Sequence, residues 1–593
     1  MDGPLAASRL SQPTREALAQ RIRARLSVAE VQTADRTADH DVTIIGDGVS
    51  ALALALEVGR VRPGTRVLIV GPTLHPVPEI THTVGESTVE VSAHYLRDRL
   101  GLADHLTSQQ IRKMGLRMFF SHGGNNDIAR RMELGSSCFA PQVTYQIDRG
   151  RLENELARRA HSMGIQFACG RVRSVELGGP DGLHVVTVQD AEAVTRTTTR
   201  WVVDASGRNR VLPRQLDLQR ANAHNCNAVW FRVAAEIDVG RWSDDPAWQG
   251  RLSEGDRAMS TNHLMGEGYW VWLIRLPSGA TSVGIVADPA FQSFDEFNTL
   301  DRAKAWLRAH EPQLAGVLAE YDQAILDFRV MKKYSHGAAK VFDGRDRWCL
   351  TGDAGVFLDP LYSSGLDLVA IGNGLITDLI SRELDGQDVA ARAQISDTVF
   401  RSLSEMWLVV YQGQYALMGA PAVMATKIIW DIAFYWGFIG LLYINGRFVG
   451  IADEPTFVPH LDGLIALSNR VQKFFQEWAE VDGGAPSVPF VDLYAPLNFM
   501  VSLHVSMMEA SQDFTQQFDA NEGLLRRLAG QLTETVIVQK SLDFDDDDVV
   551  RQVQEWQQDP LLRELRSTYR RGQASEPLSE GWIVTTSPKL QPT

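Results

Sequence analysis

The stretch DVTIIGDGVSALALALEV, residues 41 to 58, constrains the fold more than any other part of this chain. A β-branched run enters a Gly-Asp-Gly turn and then an alanine- and leucine-rich helix. A second apolar strand, TRVLIVG, follows at 65 to 71. Strand, glycine turn, helix and strand together open a βαβ unit. Gly46, Gly48 and Ala51 fit the GxGxxA form of the dinucleotide fingerprint. Glycines there let the backbone approach a pyrophosphate, and the start of the helix offers unpaired N–H groups and the positive end of its dipole. The second strand ends in Gly71, where an acidic residue usually holds the adenosine ribose.

From this unit to about residue 395, strand-like runs (LHVVTVQ, RWVVDAS, TSVGIVAD, RWCLTGDA) alternate with helix-like ones (RLENELARRAHSMG, LDRAKAWLRAHE). The expected fold class is α/β (α+β). Three parts are expected: an N-terminal helical extension at 1–38, a nucleotide-binding module at 39–395 with an inserted sheet at about 210–335, and a helical region at 396–593. In the extension, Leu18, Ile22 and Leu26 mark a short amphipathic helix, packed on the protein or used for docking. The apolar segment 406–451 is read as buried helices lining a hydrophobic pocket, with peripheral membrane contact as the alternative; Lys427 and Asp431 interrupt it. The acidic run LDFDDDDVV at 542 to 550 reads as a solvated loop or helix entrance.

A net charge of -15 without a basic stripe excludes a general nucleic-acid binder. The four cysteines, Cys138, Cys169, Cys226 and Cys349, are far apart and form no CxxC pair, so no disulfide framework or metal site is expected. With no apolar signal core near the N-terminus, a reducing cytoplasm is the expected compartment.

Two later stretches, WVVDASGR at 201 to 208 and CLTGDAGVFLDPLYSSGLDL at 349 to 368, resemble the DxxG and GD...DP motifs of flavoprotein monooxygenases, in the same order. The helix entrance YQIDRGRLENEL resembles the arginine-bearing one of that family. The resemblance implies a Rossmann-type FAD-binding domain, an inserted β-sheet substrate domain and a C-terminal helical region over the substrate pocket. It implies FAD contacts from Gly46, Gly48, Ala51, Arg149, Asp204, Gly207, Gly352, Asp353, Asp359 and Pro360.

Within that superfamily the chain resembles the flavin-dependent halogenases of the tryptophan-halogenase-like branch. VGESTVEVS at 84 to 92 is similar to their GES stretch, adding Glu86 and Ser87 to the cofactor set, and GYWVWLIRLP at 268 to 277 is similar to their WxWxI tag. The resemblance implies that reduced FAD, O2 and chloride or bromide generate hypohalous acid, which travels along a tunnel to a lysine beside the substrate. The RKMG stretch makes that lysine Lys113, its amine tuned by burial. Ser364 and Gly365 match the halide cradle, Trp270 and Trp272 match the residues that keep substrate from the flavin, and Tyr362 takes a substrate-facing position. Only one dinucleotide fingerprint is visible, so a separate NAD(P)H-dependent flavin reductase is the expected partner. The substrate is expected to be an electron-rich aromatic or pyrrole, free or bound to a carrier protein.

Three positions depart from the pattern. Arg275 stands where the tag has proline, Glu90 lies where GES is commonly followed by a proline, and Tyr362 replaces the glutamate of tryptophan-directed members, which argues against tryptophan as substrate. A monooxygenase or dehydrogenase using Lys113, Arg117 and Glu90, or a non-catalytic flavoprotein, therefore stays open. Alternation along one strand is expected to place Lys113, Gly115 and Arg117 on a shared polar face.

Overall fold

The strand His40–Ile45 lies at the heart of the first sheet, and its Val42, Ile44 and Ile45 are buried. It pairs in parallel with Val67–Gly71 on one side and Val194–Asp204 on the other, through Val42↔Val67 and Val42↔Trp201. Parallel strands covered on both faces need continuous apolar runs, which VTII and VLIV supply. Gln166–Cys169 and Trp348–Leu350 extend the sheet in parallel at either side. The hairpin Arg171–Glu176 and His184–Gln189 joins along Val194–Asp204, and the edge strand Phe342–Asp343, antiparallel to Trp348–Leu350, completes eight strands. The computed structural model describes residues 38–80, 83–454, 458–482, 486, 488–509, 513–542, 546–572, 578–579 and 581–586. The N-terminal amphipathic helix expected within 1–38 lies outside them.

A second eight-stranded sheet runs in the order Arg329–Met331, Asn227–Val233, Thr281–Ala287, Tyr269–Arg275, Thr261–Gly266, Leu116–Phe120, Glu133–Gly135 and Phe490–Asp492. The inserted sheet expected at about 210–335 is thus wider than that span. It takes two strands from 116–135 and an edge strand from the otherwise helical C-terminal region. These strands are short, and their pairing across hundreds of residues leaves no local periodicity to read.

The two faces of this sheet serve different ends. Tyr269, Val271 and Leu273 enter an outer core with Trp248, Trp306 and Leu307, whereas Trp270, Trp272 and Ile274 turn inward to the main core. This is the period-2 alternation of a strand between two packed layers.

The helices Gly365–Leu384, Ala390–Val409, Pro421–Phe434, Val458–Glu480, Asn498–Met508 and Phe514–Lys540 build the rest of the main core. The continuous run Pro421–Ile444 is long and apolar enough to cross a membrane by length and composition, but 78% of its most apolar window is buried inside the protein. It is a core element here, and a wide π turn at Tyr435–Gly440 re-aims its side chains. In the acidic run, Asp546 caps the helix Asp547–Gln558 by accepting from the N–H groups of Asp548 and Val549.

Candidate active site

Two cavities meet inside the fold. The first, about 1330 Å³, lies where the strand His40–Ile45 gives way to the helix Val49–Val61, and is walled by Gly48, Ser50, Arg149, Gly207, Asp353 and the inward face of Tyr269–Arg275. Gly48 caps that helix without a side-chain hydrogen bond, so the first-turn N–H groups stay available. Gly46 has φ +115°, and a Cβ there would fall 2.2 Å from the Ala205 carbonyl oxygen, so only glycine permits the turn. Ala51 and Gly352 shape the wall from behind: Ala51 is fully buried, and a Cβ on Gly352 would fall 2.3 Å from Ser50 Oγ.

The donor set fits a flavin dinucleotide. The uncapped helix start and Arg149 suit phosphate, and two buried polar atoms of wall residues, Arg149 Nε and Glu86 Oε2, lack a partner in the protein. Asp353 is buried, with its carboxyl held above the usual carboxylate range by desolvation against the pull of Arg208 and Arg149. Glu86 spends its other oxygen on Arg232 Nε at 2.8 Å. At the end of the second strand, Asp47 takes the space a side chain at Gly71 would need, and it accepts from the Thr73 N–H. Asp47 thus fills the end of the second strand, and it does not line the cavity.

Two sequence-assigned cofactor residues have other roles. Asp204 does not reach the cavity: its oxygens accept from the N–H groups of Ser206 at 2.9 Å and Leu212 at 2.7 Å, which closes the DxxG turn and leaves Gly207 on the wall. Asp359 and Pro360 are on the wall, but the Asp359 carboxylate is committed. Its Oδ2 accepts from Tyr334 at 2.6 Å and Tyr415 at 2.7 Å and lies 2.6 Å from His224 Nε2, while Oδ1 accepts from the Leu361 N–H at 2.9 Å. These bonds hold its pKa down despite burial. His224, Cys226 and Asp359 lie close enough for a metal ion, yet the hydrogen bonds already account for the carboxylate. Tyr415 also accepts from Trp270 Nε1 at 2.9 Å, so one buried network fixes both the DP turn and the tryptophan.

The second cavity, about 1030 Å³, lies between the sheets and the C-terminal helices. Its wall carries Glu90, Lys113, Tyr362, Ser364 and Asp367 together with Met406, Trp407, Tyr435 and Trp436. Ser364 belongs to both cavities. It precedes the helix Gly365–Leu384, does not cap it, and turns its hydroxyl to Tyr411 at 3.0 Å. The uncapped N-terminus of a 20-residue helix, with Ser364 and Gly365 lining the first cavity, is suited to an anion.

Lys113 stands at the boundary. Its Nζ donates to Ser87 Oγ at 2.7 Å, on the wall of the first cavity, and to the Thr88 carbonyl at 2.9 Å, while the side chain lines the second cavity. Burial pulls its pKa from 10.5 down to about 8, against the upward pull of Glu90 and Asp367. Asp367 is pushed up to about 7 by burial, and accepts from Ser92 N at 2.9 Å and Tyr435 OH at 2.7 Å.

The shared polar face expected for Lys113, Gly115 and Arg117 does not exist. Ile111–Lys113 pairs with Thr144–Gln146 in a separate two-stranded sheet; Gly115, at φ +74°, breaks the run, and Leu116–Phe120 enters the large sheet. Arg117 is buried against Glu133, with Arg257 and Arg251 on the same carboxylate, and lines neither cavity. Arg117 is therefore not placed to serve a substrate in either cavity. Arg275 is neutral for the site, since it pairs with Glu236 at 2.8 Å while its neighbour Ile274 stays on the cavity wall. Sequence reading missed Asp431, Ser468 and Leu493, which reach the second cavity from the C-terminal region, and His263, which lines the first. Asp431 left one trace, a charge within an apolar run.

A nucleotide-type cavity joined through a buried lysine to a second, aromatic-walled cavity defines a flavoprotein oxidoreductase that separates cofactor from substrate. Comparison with known proteins gives the family. The tryptophan halogenase family matches residues 105–411. A flavin-dependent halogenase of Dictyostelium discoideum is 24% identical over 467 residues, covering 73% of this chain and 75% of that one. A 1H-pyrrole-2-carbonyl peptidyl-carrier-protein chlorinase of Pseudomonas fluorescens is 24% identical, covering 56% and 73%. The crystal structure of the halogenase PltM shares the fold at TM-score 0.58 and 15% identity, over 89% of this chain and 96% of that one. The chain belongs to the tryptophan halogenase family. It is an FAD-dependent halogenating oxidoreductase that uses reduced FAD, O2 and halide.

Proposed function

We propose that this enzyme halogenates an electron-rich aromatic or pyrrole-type ring in specialised metabolism, on a free small molecule or one held by a carrier protein, in the cytoplasm. The observation that carries this reading is Lys113, bonded to the wall of one cavity and exposed to the other. The four described cysteines are free thiols, in keeping with a reducing compartment.

Reduced FAD, when bound, supplies the electrons with which O2 converts halide to an electrophilic halogen. Gly48, Ser50, Arg149, Gly207 and Asp353 would hold it, and Ser364 and Gly365 would hold the halide. Trp270 and Trp272, fixed by Tyr415 and by Ser282 at 3.1 Å, fill the cofactor side and exclude an aromatic substrate from it. Lys113 receives the halogen species at the boundary, its ammonium a donor below pH 8 and its amine a nucleophile above it. Reduced flavin is supplied by a separate NAD(P)H-dependent reductase, as the one dinucleotide fingerprint visible in the sequence supports. Peripheral membrane contact through 406–451 is not part of this reading, because Pro421–Ile444 is mostly buried.

The test is reconstitution with FAD, a flavin reductase, NADH and bromide against a panel of phenols and pyrroles, read by mass spectrometry. A bromine isotope doublet that disappears in Lys113→Ala supports the reading. Hydroxylated product independent of bromide contradicts it.

A further inference from the structure

Tyr362 stands where tryptophan-directed members of the family carry a glutamate, yet the second cavity does not lack a carboxylate at this point. Tyr362 OH donates at 2.9 Å to Oδ2 of Asp431, and both residues line the cavity that Lys113 enters. Asp431 comes from a different element and lies within the continuous helical run Pro421–Ile444. A buried carboxylate needs a compensating charge. Lys427, one turn earlier and fully buried, supplies it by donating to the same oxygen and to the Val410 carbonyl at 3.0 Å. Gln472 Nε2 donates to Oδ1 at 2.6 Å.

A carboxylate accepts about four hydrogen bonds, two per oxygen. Oδ2 is filled by Lys427 and Tyr362, while Oδ1 has one donor and room for a second. The cavity around it is chiefly apolar and aromatic, with Trp407, Phe434 and Trp436 on its wall. In such a pocket one fixed acceptor decides which way a planar ligand lies. An acceptor already balanced by a buried ammonium selects a neutral donor, a ring hydroxyl or ring N–H, over a cation.

We propose that Asp431 is the specificity-determining acceptor of the second cavity, binding the ring hydroxyl or N–H of the aromatic substrate and so setting which ring carbon faces Lys113. Tyr362, Gln472 and Lys427 are its positioning residues. The inference rests on the halogenase reading of the cavity, but its test does not require halogenation.

The probes are 2-naphthol and its methyl ether, 2-methoxynaphthalene, which differ in the donor. Their binding to FAD-loaded protein is measured by equilibrium dialysis. Wild type is expected to favour 2-naphthol at least about tenfold, the scale of one well-formed buried hydrogen bond. The double variant Lys427→Met/Asp431→Leu, which removes the pair with apolar replacements, is expected to bind the two within about twofold of each other and to retain the ether. Should the double variant misfold by circular dichroism, Asp431→Asn carries the test, with an expected loss of at least about threefold in preference. Preference kept in the folded variant, or absent from wild type, overturns the role of Asp431. A missing bromine doublet alongside an intact dialysis preference would instead overturn the halogenase reading alone.

Discussion

Replacing Lys113 by methionine should make the protein more stable while abolishing halogenation. Burial lowers the Lys113 pKa from 10.5 to about 8. At about 1.4 kcal/mol per factor of ten, holding the ammonium in the folded state at pH 7 costs about 3 kcal/mol. Methionine forfeits two hydrogen bonds, to Ser87 Oγ at 2.7 Å and the Thr88 carbonyl at 2.9 Å, worth about 1 kcal/mol each. The expected net gain is about 1 kcal/mol at pH 7. Its pH dependence has a definite sign. The folded pKa lies below the unfolded one, so the penalty is fully present below pH 8 and fades as pH climbs to 10.5, where the unfolded chain also loses its proton. Urea unfolding of wild type and Lys113→Met at pH 7 and pH 10 measures this directly. A variant less stable than wild type at pH 7, or a difference that does not move toward the wild type by pH 10, would refute the reasoning.

Two further predictions follow from packing and titration. A Cβ added at Gly284 would fall 2.2 Å from the Trp272 ring, so Gly284→Ala should displace the indole, cost about 1–3 kcal/mol and weaken FAD binding, which flavin fluorescence reads. Glu57 is buried, accepts from Tyr95 OH at 2.9 Å, and has its pKa raised from 4.5 to about 7 by desolvation. A raised carboxyl keeps its proton in the folded state, so stability falls as pH rises from about 4.5 to 7, by about 3 kcal/mol for this group. Glu57→Gln should match wild type near pH 4.5 and exceed its urea midpoint at pH 8.

The parts legible in the sequence are those that chemistry places at fixed local spacing. Gly46, Gly48 and the strands around them announce the nucleotide end, and the alternation of Trp270 and Trp272 with Val271 and Leu273 survives as two faces of one strand. Where a glycine breaks a run, alternation misleads. Gly115 sends Lys113 and Arg117 into different sheets, and a strand pattern cannot register a turn that keeps the apolar residues on both sides. Motif position also overstates contact. Asp204 and Asp359 occupy motif sites yet direct their carboxylates to backbone N–H groups and tyrosines. In the second cavity Lys113 and Tyr362 are legible through motif position, whereas Asp431 and Leu493 join them only through long-range packing that no local pattern marks.

The short pairing of Ile111–Lys113 with Thr144–Gln146 has a consequence for how such an enzyme can diversify. Lys113 is mounted on its own two-stranded bracket, joined to the second large sheet through Gly115, whose carbonyl accepts from the Thr261 N–H at 3.1 Å. The aromatic wall opposite it is drawn from C-terminal helices. Under the proposed function, changes of substrate can accumulate in those helices without re-aiming the Lys113 amine.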